Sequence, residues 1–230
     1  MLVNKLRNLN YKFVSEQAVL DKGKCISLNH YQKELEKRNL GIWELFGYYD
    51  PKEQKVYLCE ENISERSKKI AKNLNYNETE TYAILRELVR LHEHIHAYTH
   101  QEIREKFLRI PSTISEPLTE FLSYCTIKNY EDEYYRQKYL AVFMEVDKNH
   151  PKYYRNWRDI LDVVIDKNQG LKVEYFCDNP SQHEKAIKIV FQVVMEIIKD
   201  LAPNPSFNDF LKEIESTFLC RAVAYAMEDT

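Results

Sequence analysis

The residues Leu85-Arg86-Glu87-Leu88-Val89-Arg90-Leu91-His92-Glu93-His94-Ile95-His96 set a His-Glu-x-x-His pattern inside a run of helical periodicity. On a helix of about 100° per residue, His96 lies roughly 40° around from His92 and one turn along, so both imidazoles can reach one ion. Glu93 lies roughly 100° from His92 on the His96 side, where its carboxylate flanks that ion without ligating it and can take a proton from water. The chemistry open to such residues is metal-assisted hydrolysis with Glu93 as general base. Glu116, twenty residues after His96, can supply a third ligand, and Glu120 follows one turn later on the same face of what reads as a second helix. Two neutral imidazoles and a carboxylate leave the fourth tetrahedral position open, the arrangement of catalytic rather than structural zinc. Zn2+ is the expected cofactor.

Four of the seven histidines fall between residues 92 and 100, and the motif uses two of them. His94 projects roughly 200° from His92 and is read as packing or hydrogen-bonding on the far face. His100 continues the row of His92 and His96, where it could line a cleft or replace a ligand, but the pair His96 and His100 has no Glu at the second position. A reading in which all four merely decorate a helix requires Glu116 and Glu120 to fall in place by accident.

This pattern resembles the thermolysin-like gluzincins, which carry His-Glu-x-x-His on one helix and a ligand Glu on the next, with an acidic residue four positions further on. The likeness covers about thirty residues of the chain. It implies His92 and His96 as the histidine ligands, Glu93 as the base, Glu116 as the third ligand, and Glu120 as an acceptor that fixes a ligand imidazole. The family more often has Asp where Glu120 stands, Gly where Ala97 stands, and Asn where Ser115 stands, which marks a divergent member. The resemblance further implies a metallopeptidase with a zincin-like fold, in which an edge strand beside the metal helix pairs with extended substrate backbone. The main-chain groups of Val56, Tyr57, Leu58 and Cys59 are the candidates for that pairing. Gluzincins also use a Tyr, His or Arg donor for the tetrahedral oxyanion. His150, Tyr153, Tyr154, Arg155 and His183 are available, with Tyr153 and Tyr154 leading because they stand just ahead of an Arg-containing helix.

The elements that must hold these residues read as an α+β chain, with a small N-terminal mixed sheet and hairpin before a mostly helical body. Strands are expected near 11–14 and 24–27, and a polar helix over 31–39 closed by Gly41. A hairpin of 42–49 and 55–59 flanks the turn-forming Asp50-Pro51-Lys52-Glu53-Gln54. Helices follow over 65–74 and then from Asn77, an N-cap with Glu80 three residues on. Ile84, Leu88, Leu91 and Ile95 keep the 3, 4 spacing that buries the metal helix. A short linker helix over 101–109 leads to Ser115, read as the cap of the helix carrying Glu116, with Pro117 in its first turn and Leu118, Phe121, Leu122 and Cys125 on its buried side. Further helices are expected over 134–147, 153–167, 182–201 and 207–227, with a short strand at 171–177. A division near Asn75–Asn77 or Asn129–Glu133 would give parts 1–76, 77–130 and 131–230, and one α+β body fits equally well.

Composition limits the partners. The 230 residues are 44% hydrophobic and 30% charged, with seventeen Tyr and four Gly, which fits a globular, helix-rich body. A net charge of −3 gives no basic field for a phosphate backbone, so nucleic acid is not an expected partner. The opening residues lack the apolar core of a secretion signal and no stretch reaches membrane-span length, so no membrane partner is expected. Five dispersed cysteines argue against a disulfide framework and for reduced thiols in a cytoplasm. A peptide or protein substrate is the expected partner. Two other readings of the same residues are a regulatory or binding protein on a metallopeptidase scaffold and a zinc hydrolase of a non-peptide amide or ester.

Overall fold

A computed structural model of the chain describes residues 46–52, 54–103, 110–128, 130–166, 193–201 and 205–228. The strands expected near 11–14 and 24–27, the helix over 31–39, the strand at 171–177 and His183 lie outside these residues. Among the described residues the chain is mostly helical with one two-stranded antiparallel sheet, an α+β arrangement. It divides into two compact units, Met1–Tyr98 with Gln137–Lys148, and Thr99–Arg136 with Asn149–Thr230. Among the described residues no helix is long and apolar enough to cross a membrane.

The first unit opens with the hairpin. Strands β1 (Gly47–Asp50) and β2 (Lys55–Leu58) pair with Gly47 opposite Leu58 and Asp50 opposite Lys55. The turn is shaped by the Asp50 carboxylate, which accepts a hydrogen bond from the Lys52 amide at 2.7 Å, and by Gln54 in the left-handed region at φ 54°. Alternation sorts the side chains: Tyr49, Val56 and Leu58 are buried, while Tyr48 and Tyr57 stack with ring centroids 5.3 Å apart on the other face.

Helix α1 (Glu60–Leu74) starts five residues earlier than its expected beginning at Glu65. Asn62 and Ser64 suit turns by propensity, but Ile63 is fully buried, and Glu60 and Glu61 give the first turn the negative charge that a helix start favours. The Cys59 amide donates to the Phe46 carbonyl at 2.7 Å and its carbonyl accepts from Ile63, so β2 runs into α1 without a loop. Asn75 closes α1 in the left-handed conformation, its amide donating to the Ala71 carbonyl.

Helix α2 (Glu78–Ile103) carries the His-Glu-x-x-His motif. Asn77 caps it as expected, its side-chain oxygen accepting from the Glu80 amide at 3.1 Å. Ile84, Leu88, Leu91 and Ile95 are buried as the spacing predicts. The helix does not end where the sequence suggested, because 101–103 continue it rather than opening a separate linker helix. Its first turns are anchored by Glu60, which accepts from Arg86 Nε at 2.8 Å and from the Tyr82 hydroxyl at 2.5 Å, and by Glu80 with Lys138. Lys138 belongs to α4 (Glu133–Asp147), which also bonds Asn73 of α1 through Glu145 at 2.8 Å.

In the second unit, α3 (Ser112–Lys128) begins three residues before Ser115, the expected cap. The Pro111 carbonyl accepts from the amides of Ile114 and Ser115, and the full burial of Ile114 draws that turn into the helix. Pro117 therefore lies inside α3 and removes the amide that would bond the Thr113 carbonyl. Beyond His150 a 3-10 turn (Tyr154–Asn156) leads into α5 (Trp157–Leu161) and a π turn (Asp162–Asp166), in place of one helix over 153–167. A helical segment, α6, covers 193–200, and α7 (Phe207–Glu228) starts at a reciprocal cap between Ser206 and Asp209. Helix α3 packs against α5, and α7 packs on both and on the π turn. The side chains of Phe121, Leu122, Ile160, Val164, Phe210 and Ile214 are fully buried in this unit.

Replacing Asn77 by Ala removes a cap and is expected to lower the unfolding free energy by about 1 kcal/mol, read as a shift in urea midpoint at unchanged slope. Asn75→Ala should cost about as much because of its left-handed backbone, and Asn75→Gly should not. The Glu145 carboxyl is held below its ordinary value by hydrogen bonds from Lys148 and Asn73. A folded value below the unfolded one adds stability that is present above about pH 4.5 and lost as pH falls through the folded value. Acid unfolding of Glu145→Gln followed by circular dichroism should therefore lose that part of its pH dependence.

Candidate metal centre

The sequence pattern becomes a measurable arrangement on α2. One helical turn separates His92 from His96, and their Nε2 atoms stand 3.1 Å apart with the ring planes 76° from each other. Two nitrogens that ligate one ion at tetrahedral angles stand about 3.3 Å apart when each bond is about 2.0–2.1 Å. The observed separation fits that requirement closely. The candidate ligand atoms of His92, His96 and Glu116 all lie within 4.8 Å of one another. Two imidazoles with one carboxylate are a donor set suited to a divalent transition metal, and the three side chains could hold one such ion. Glu116 is buried, and a carboxylate taken out of water calls for compensating charge or hydrogen bonds, which a cation would supply.

Glu93 is 6% exposed and sits on the part of α2 that meets β1. A Cβ at Gly47 would lie 3.1 Å from the Glu93 Cγ and 2.7 Å from the Val89 Cγ1, so the hairpin backbone presses directly on the turn that carries the expected base. Glu120 is buried one turn beyond Glu116 on α3, and its Oε1 lies 3.6 Å from the Nδ1 of His150. The His150 ring in turn lies 4.8 Å, centroid to centroid, from Tyr154, and Tyr154 lies 4.9 Å from Tyr153. Two of the expected oxyanion donors, Tyr153 and Tyr154, are thus half-buried members of a ring cluster that reaches Glu120 through His150. Arg155 is exposed.

The remaining expected site residues fall as follows. Val56 and Leu58 point into the core from β2, and Tyr57 belongs to the stacked outer pair. Cys59 is the N-cap of α1 rather than a strand residue, and its amide is engaged by the Phe46 carbonyl, so it offers no donor to a substrate backbone. His94 is buried, as the far-face reading expects, and burial lowers the His100 pKa. Gly47 was missed by sequence reasoning. The available signal was a glycine among the aromatic residues of a strand, in a chain with four glycines in all.

Removing a candidate ligand should weaken metal binding. His92→Ala and Glu116→Ala are each expected to bind Zn2+ more weakly than the parent by more than the roughly 10–100-fold that loss of an outer hydrogen-bond partner costs. Competition with a chromogenic chelator measures this, and unchanged affinity in both variants would dissolve the centre. Comparison of the chain with protein-family models, curated proteins and solved structures finds no match.

Proposed function

We propose that the chain is a zinc-dependent metallopeptidase, a divergent gluzincin-like enzyme of zincin-like fold, that hydrolyses peptide bonds in a peptide or protein substrate. The observation that carries this reading is the grouping of His92, His96 and Glu116, with two imidazole nitrogens 3.1 Å apart one turn along a helix. These three residues would hold the ion. Bound zinc would supply Lewis acidity toward the scissile carbonyl and the attacking water.

Glu93 follows His92 directly and is buried, so its carboxylate works in a water-poor setting where a proton acceptor is most effective. It takes the proton from the attacking water and delivers it to the departing amine. Tyr153 and Tyr154 are the proposed donors to the oxygen that gains negative charge, and the ring contact with His150 restricts where the Tyr154 hydroxyl can go. The Glu120 carboxylate stands beside the His150 ring, which packs against Tyr154. The β2 backbone from Val56 to Leu58 is the proposed partner of extended substrate. The odd number and wide dispersal of the cysteines support a cytoplasmic setting, and the charge balance supports a protein rather than a nucleic-acid substrate.

The test is Glu93→Gln, assayed on quenched-fluorescent peptide libraries alongside simple amide and ester substrates. The variant is expected to keep its zinc and lose turnover by about 10²–10⁴-fold, the usual contribution of a general base. Turnover equal to that of the parent would overturn the mechanism, and hydrolysis confined to esters or non-peptide amides would overturn the peptidase assignment.

A further inference from the structure

Resting on the hydrolytic reading above, we infer that Gly47 is a positioning residue for Glu93: the missing side chain at the start of β1 leaves the space that fixes the carboxylate of the base. A glycine in a strand weakens it, and its presence there marks a close approach of backbone to something else. Gly47 does not need glycine for conformational freedom, because its φ is outside the left-handed region. What it permits is contact.

A Cβ built there would stand 2.7 Å from Val89 Cγ1, 3.0 Å from the Tyr57 carbonyl oxygen and 3.1 Å from Glu93 Cγ. Val89 and Glu93 are one turn apart on the same face of α2, so that face rests on the bare backbone of β1. The Tyr57 carbonyl belongs to the partner strand and has no torsion with which to yield. Val89 and Glu93 would have to move. At Glu93 the contact falls on Cγ, the carbon whose rotamer sets the direction of the carboxylate, and at 6% exposure the side chain has little open space to swing into. The hairpin thus acts on the base from the backbone side, without contributing a functional group of its own.

Three variants separate this role from packing: Gly47→Ala, Val89→Ala and the double substitution. Gly47→Ala alone should unfold at lower urea, chiefly through the clash with Val89. Trimming Val89 removes the shortest of the three contacts and leaves those with the Tyr57 carbonyl and Glu93, so the double variant should recover part of the midpoint that Gly47→Ala loses, measured against Val89→Ala. Its kcat should nevertheless stay below that of Val89→Ala by up to about 10-fold, since the contact at Glu93 Cγ calls for a smaller shift than the roughly 1 Å that costs about 100-fold, with KM within about twofold and zinc content unchanged. Recovery of kcat together with the midpoint would overturn the inference. Crystal structures of Val89→Ala and the double variant give a readout that needs neither substrate nor metal. A turned Glu93 side chain is expected in the double variant, and identical Glu93 torsions in the two would overturn the positioning role even if the parent hydrolyses no peptide. Absence of hydrolysis by the parent, with Glu93 turned in the double variant, would instead overturn the metallopeptidase reading alone.

Discussion

Two imidazole nitrogens held 3.1 Å apart constrain everything around them. Neutral rings at that distance either share one proton or direct both lone pairs at one cation, and in both cases the helix beneath must keep its turn closed and its rotamers fixed. The surroundings of α2 within the first unit meet that demand. Glu60 of α1 grips Tyr82 and Arg86, Lys138 of α4 reaches Glu80, and the hairpin lies against Val89 and Glu93. Helix propensity alone would not give this rigidity, since the segment holds four histidines and several β-branched residues. Packing on several faces gives it, with Ile84, Leu85, Leu91 and Ile95 all at or near zero exposure.

What was legible in the sequence follows from the range of the forces involved. Asn77 could be read as a cap because it answers an amide three residues away, and the Asp50 turn because a side chain bonds the backbone two residues on. The buried row on α2 follows from period alone. Glu116 could be read as a ligand candidate because residue type and order along the chain suffice to nominate it. The starts of α1 and α3 were misread because Asn62, Ser64 and Ser115 have local preferences for turns and caps that the burial of Ile63 and Ile114 overrides. The extension of α2 through 101–103 lacked any stop signal such as a following glycine. Contacts between distant segments were illegible altogether: nothing local links Gly47 to Glu93, or His150 to Glu120.

The carboxylates reveal what the arrangement costs. Glu93, Glu116 and Glu120 are 6%, 5% and 4% exposed, and a buried ion pair or cluster is seldom the most stable way to fill such space. Apolar residues of similar volume would often be neutral or better for stability, whereas deletion of one partner of a buried charge is strongly destabilising. Each carboxylate therefore needs company, and the His150 ring beside Glu120 shows one form of it. The alternating assignment of these acids along α2 and α3 sets polar groups within stretches whose neighbours, Leu91 and Ile95 or Phe121 and Leu122, are fully buried. A sequence selected for stability alone would carry apolar residues there. Glu87, Glu145 and Asp147 are buried as well, so burial of an acid does not by itself single out the motif; what sets Glu116 apart is that its carboxylate lies within ligand distance of the His92 and His96 imidazoles.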